Sequence, residues 1–129
     1  MKMVKMFSIS LALMLITFAT VAFASSFTST FSFNTTLEGA SRDYDGSDMN
    51  FSATSVSVGG IQHNVATTYE VSLYRTRLFK DDFIGTTLLP RDSAGSASWD
   101  NVGSGTYYFT FWKAFDGVTI ESNNVDMYN

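Results

Sequence analysis

The sequence predicts an all-β protein, a single antiparallel β-sandwich of about six to seven strands, with a small β-barrel as the alternative. Three observations predict it. Beyond the first 24 residues, apolar side chains recur with period two and nowhere at i, i+3, i+4 over two turns. The same region is rich in Thr, Ser, Phe, Tyr and Val, which suit a half-buried pleated surface. Glycines, including Gly59-Gly60 and Asp116-Gly117, punctuate it at strand-length intervals.

The opening segment reads differently. Lys2 and Lys5 precede an apolar run from about Ile9 to Phe23, and Ala22-Phe23-Ala24 is a small-x-small cleavage pattern. Residues 1–24 are therefore expected to be a cleavable secretory signal peptide, leaving 25–129 as one secreted, extracellular domain. The run is short for a membrane span and is diluted by Ser8, Ser10, Thr17 and Thr20, so no membrane attachment is expected after cleavage. A lipid-anchored cut site needs a cysteine, and the chain has none.

Of the eight Lys and Arg, two leave with the leader, so six basic groups face twelve acidic ones. That balance excludes nucleic acid and anionic membrane surfaces as partners, since both need a basic footprint. Without cysteines there are no disulfides, thiolate metal sites or thiol nucleophiles, and burial with sheet hydrogen bonding must hold the domain.

The elements follow in order. Phe27, Phe31, Phe33 and Leu37 share one parity, which predicts a strand over 27–37 with one buried face. Met49, Phe51 and Ala53 continue the alternation, but Val56 and Val58 take the other parity, so a β-bulge is expected near Thr54-Ser55. Residues 68–75 bury Tyr69, Val71 and Leu73 and turn Glu70, Ser72 and Tyr74 outward. Residues 77–94 hold the only proline, Pro90, and read as a loop or irregular edge. A short strand at 97–99, a turn at 102–105 and the strong strand 106–113 come next, with a hairpin expected at Asp116-Gly117. Val118 and Ile120, then Val125 and Met127, close the chain.

YEVSLYR (69–75), the Gly85 region, DSAGSASWDNV (92–102) and GSGTYYFTFW (103–112) together resemble prealbumin-like secreted modules of the Cna-B type. The G-T-Y-Y strand is also similar to the carboxyl-terminal accessory β-domains of secreted proteases. The resemblance implies a β-sandwich and a binding or scaffolding role. Many such modules carry a lysine–asparagine isopeptide bond. Here only Lys80 and Lys113 remain after the leader, and 27–37 has no lysine, so no functional residue carries over. Lys113 is expected to lay its stem on apolar surface and reach water with its ammonium.

Two groups of residues are left over as candidate sites. SRDYDGSDMN (41–50) offers Asp43, Asp45, Asp48 and Asn50 as calcium oxygens, since calcium takes six to eight of them. The glycine falls fourth from Asp43, not sixth as in an EF-hand, and Asp45-Gly46 is a preferred turn pair, so the segment is expected to be a hairpin tip between adjacent strands, with calcium binding as the alternative. No cofactor is required by the sequence, calcium being the one candidate. The second group is aromatic. If Tyr107, Phe109 and Phe111 face the core, Tyr108 and Trp112 stand on the outer face beside Tyr74, unless 77–94 with Phe79 and Phe83 covers them. Exposed amphipathic rings suit recognition of an extracellular glycan or protein.

No enzyme is expected. His63 is the sole histidine, no serine lies in a G-x-S-x-G elbow, and so small a domain offers little cleft for a carboxylate pair. The expected function is that of a secreted, non-enzymatic binding module using Tyr74, Tyr108 and Trp112. Alternatives are a bacteriocin-like or toxin-like antagonist of other cells and a subunit that self-assembles through an edge strand.

Overall fold

The computed structural model describes residues 25–61 and 65–129, so the expected leader (1–24) and His63 lie outside the described residues. Nine strands occur among the described residues: β1 (Ser26–Phe33), β2 (Thr36–Glu38), β3 (Arg42–Tyr44), β4 (Met49–Val58), β5 (Thr68–Arg75), β6 (Asp82–Pro90), β7 (Ala94–Trp99), β8 (Gly105–Trp112) and β9 (Thr119–Tyr128). They form two antiparallel sheets with no helix and no closed barrel. One sheet runs β1-β9-β4-β7; the other runs β2-β8-β5-β6, with β3 also pairing β8. The protein is a β-sandwich.

The core is where the two inner faces meet, and it is strongly aromatic. Phe31 packs on Phe111 with ring centroids 4.8 Å apart, Phe51 on Phe109 at 5.1 Å, and Phe33 on Tyr69 at 5.7 Å. Each pair joins one sheet to the other, so tilted and edge-on ring contacts bind the layers beyond the area they bury. Tyr107 is fully buried, and its hydroxyl is shared between the carbonyls of Val102 (2.7 Å) and Gly103 (2.8 Å), which fixes the corner leading into β8. Tyr69, Val71 and Leu73 of β5 and Phe109 and Phe111 of β8 point inward as their parity predicts.

The connections depart from the sequence reading. The expected strand 27–37 is two: β1 pairs β9 in one sheet, and the chain then crosses to put β2 against β8 in the other. Parity survives the crossing because Phe31, Phe33 and Leu37 all face the shared interior. Likewise 41–50 is no hairpin tip. β3 belongs to the five-stranded sheet and β4 to the four-stranded one, so Asp45-Gly46 bridges layers. Gly46 serves close approach there, since a Cβ would lie 2.8 Å from Asn129 Cγ. Asp116-Gly117 also links strands of different sheets, β8 and β9; Gly117 has φ 77°, and Asp116 Oδ1 accepts a hydrogen bond from Val118 N at 3.0 Å.

The bulge is displaced too. Ladder register slips between Thr54 and Val56, but two β4 steps there match three on β9, from Asn124 to Glu121. The extra residue is in β9, and β1 sees the same slip. In β4 the alternation never switches: Ser55 is buried, and Val56 and Val58 are exposed. Finally, of the segment expected to be a loop or irregular edge, 82–90 is a nine-residue edge strand with a register slip, and Pro90 stands at its end.

Candidate functional site

Side chains on the outer face of the five-stranded sheet form a grid of three strands by three rows. Cross-strand register aligns Trp112, Glu70 and Leu88 in one row, Thr110, Ser72 and Thr86 in the next, and Tyr108, Tyr74 and Phe83 in the third. β8 and β5 deliver alternate residues to this face because their other parity fills the core. β6 reaches it through a register slip opposite Leu73 and Tyr74, which places Phe83 beside Tyr74.

The aromatic row is a stack. Tyr74 and Tyr108 lie nearly parallel at 9° with centroids 5.3 Å apart, and Phe83 leans on Tyr74 at 5.4 Å. Tyr108 donates its hydroxyl to Asp81 Oδ2 at 2.7 Å, and Asp81 Oδ1 accepts from Arg77 N at 3.0 Å. This hydrogen bond, followed by desolvation, pushes the Tyr108 phenol up to about 12, while it holds the Asp81 carboxyl below its usual range. Tyr108 is thereby closed off, with 9% of its surface exposed. Trp112, at 48%, and Phe83, at 59%, are the open rings of this face. Beside Trp112, the residues Thr36, Glu38, Glu70, Ser72, Tyr74 and Thr110 line a shallow depression of about 420 Å³.

Thus the three ring residues expected at a binding surface share one face, Tyr74 and Tyr108 in contact and Trp112 two rows away. The segment 77–94 covers one of them, Tyr108, and leaves Trp112 uncovered. Its Asp81 clasps Tyr108, and its strand extends the sheet sideways. Phe83, Leu88 and Glu38 belong to the face; from sequence Phe83 is expected only as a cover for it, and Leu88 and Glu38 are unmarked. The signal for the first two was scrambled by the slip in β6, which breaks the alternation that would have marked them.

No known family, curated protein or solved structure matches this chain. Its chemistry has to be read from its own side chains.

The acidic segment is spread out. Asp43 Oδ1 accepts from Thr106 Oγ1 at 2.6 Å, Asp48 Oδ1 from Asn101 N at 2.9 Å, and Asn50 Oδ1 from Ser98 Oγ at 2.8 Å. Asp45 contributes its amide, which donates to Ser25 Oγ at 3.1 Å. Among the described residues no three acidic or histidine side chains gather as a metal-binding group.

Lys113 corrects its expectation. It is buried, not snorkelling: its ammonium donates to Asp116 Oδ1 at 2.7 Å, while Arg91 Nη1 donates to Asp116 Oδ2 at 2.6 Å. Arg91 Nε also donates to the Thr68 carbonyl at 2.9 Å. The crossing after β8 carries Lys113 under the strand end, where the Asp116 turn meets it. The Lys113 bond, ahead of Arg91, holds the Asp116 carboxyl far below the usual carboxylate range.

Proposed function

We propose that the chain is a secreted, non-enzymatic binding module whose outer five-stranded face recognises an extracellular glycan. The observation that carries this reading is the half-exposed Trp112 ring set beside the carboxylates of Glu70 and Glu38 and the hydroxyls of Ser72 and Thr110. An indole face packs against the C–H surface of a pyranose, while adjacent carboxylates and hydroxyls accept and donate to its ring hydroxyls. The Tyr74–Tyr108–Phe83 stack stiffens the next part of the sheet, so the platform loses little freedom on binding. Secretion is supported by the leader pattern of residues 1–24.

The test is retention on insoluble cell-wall or plant polysaccharide. Trp112→Ala should abolish retention while the circular-dichroism spectrum is unchanged, and Glu70→Gln should weaken it. Retention equal to that of the parent by a folded Trp112→Ala chain would overturn the glycan face.

A further inference from the structure

A second site lies at the edge of the sandwich beside the glycan face, with which it shares Leu37, Glu38 and Phe111 as lining residues. β1 ends the four-stranded sheet, β2 and β3 edge the five-stranded one, and between these edges the two layers part. The gap is a slot of about 240 Å³, floored by Phe31, Leu37, Phe109, Phe111, Val125 and Met127, which come from both sheets. Five of these six are core residues, so the slot opens directly into the hydrophobic interior. Its mouth is kept open by Gly39 and Ala40, where the chain passes from β2 to β3.

One cation stands at that mouth. Arg42 lines the slot, is half-buried, and rests its guanidinium over the Phe27 ring at 4.9 Å. The ion pairs among the described residues are Arg77–Asp82, Arg91–Asp116 and Lys113–Asp116, so Arg42 has no carboxylate partner there. Glu38, also at the rim, sits on the parity that faces the outer sheet surface with Thr110, whereas Arg42 pairs with inward-facing Tyr107. An apolar slot with an uncompensated guanidinium at its entrance is complementary to an apolar tail that ends in an anion.

We propose that this slot binds a medium-chain carboxylate, its tail inserted between the sheets and its carboxylate paired with Arg42. An apolar cavity of about 150 Å³ takes a benzene ring, so this one accommodates a tail of roughly eight carbons. Binding requires no large rearrangement, because the floor residues already face the gap.

Calorimetric titration of the purified chain with octanoate, octanol and acetate tests the proposal. Octanoate should bind saturably at one per chain and raise the melting temperature. Octanol should bind at least tenfold more weakly, and acetate not at all. Arg42→Gln should weaken octanoate at least tenfold and leave octanol unchanged, and Leu37→Trp, which fills the slot, should remove both. Octanoate binding no tighter than acetate overturns the tail site, and octanoate no tighter than octanol overturns the role of Arg42. These comparisons use the parent chain, so they decide the matter even if a variant fails to fold. Loss of polysaccharide retention in Trp112→Ala bears on the other face alone.

Discussion

At the scale of single residues, Asp116 bears the most electrostatic weight. It answers two cations, Lys113 and Arg91, whose side chains are almost fully buried. Removing its charge leaves both without their carboxylate partner in a poorly solvated site, a change that typically costs about 3–5 kcal/mol. Asp116→Asn should therefore lower the urea midpoint steeply, whereas replacing all three groups by apolar residues of similar volume should cost far less. The pH dependence follows from the depressed folded-state carboxyl. Its stabilising contribution is whole above the ordinary aspartate value of about 4 and is lost as pH falls below it, because the unfolded chain takes up the proton first. A melting series from pH 7 to pH 3 should show the parent losing stability faster than Asp116→Asn. Tyrosines report the alkaline side. Burial pushes Tyr44 up to about 12, and the Asp81 bond does the same for Tyr108. A phenol raised in the folded state stabilises fully below its unfolded value near 10 and ceases to do so as pH climbs to 12. Ultraviolet titration should find Tyr44 and Tyr108 ionising near 12 or only with unfolding, Tyr69 being raised by burial as well, and Asp81→Asn should lower the Tyr108 value alone.

At the scale of elements, β9 carries the irregularity that the sequence places in β4. Val56 and Val58 break the apolar alternation of 49–58, which predicts a bulge within that strand. The irregularity is real, yet the extra residue sits across the ladder at 122–124, where inward residues change from Ile120 and Ser122 to Val125 and Met127. Ser122 secures it: its hydroxyl donates to the Thr54 carbonyl at 2.7 Å and accepts from Asn124 N at 3.3 Å. Ser122→Val should strand the Thr54 carbonyl and cost about 1–3 kcal/mol in chemical denaturation. Val56→Thr, on the solvent face, should stay within about 0.5 kcal/mol of the parent. A large loss at Val56 with none at Ser122 would return the bulge to β4. β6 was hidden for a related reason. Its slip opposite Leu73 and its terminal Pro90 erase the two-residue period by which β5 and β8 were legible. The candidate binding face was accordingly readable along β5 and β8, where Tyr74, Tyr108 and Trp112 lie, and unreadable along its β6 edge.

At the scale of the whole molecule, period two identifies strands and inward faces but carries no information about which sheet a strand joins. Asp45-Gly46 and Asp116-Gly117 have hairpin chemistry and nonetheless link different layers, since a turn is satisfied locally while pairing is decided by distant residues. Among the described strands only β5 and β6 are successive strands that also pair with each other. The remaining partners are remote in sequence, a topology that folds slowly because loop closure precedes the contacts that reward it. The β5–β6 hairpin is then the cheapest place for folding to begin, and a circular permutant can test that. Residues 25 and 129 already meet: Ser25 N donates to Asn129 Oδ1 at 2.9 Å, and Asn129 N donates to the Ser25 carbonyl at 3.1 Å. A short linker joins them without strain, and new ends between Leu78 and Phe79 fall at an almost fully exposed loop tip. Every strand and core contact is retained, so the permutant should keep the parent's spectrum and a melting temperature within a few degrees. It should also fold on the order of tenfold more slowly in stopped-flow refolding, because its one local pairing has become a long-range closure. An unchanged folding rate would mean that β5 and β6 pair after the rate-limiting step, leaving the aromatic contacts between the two sheets to organise the transition state.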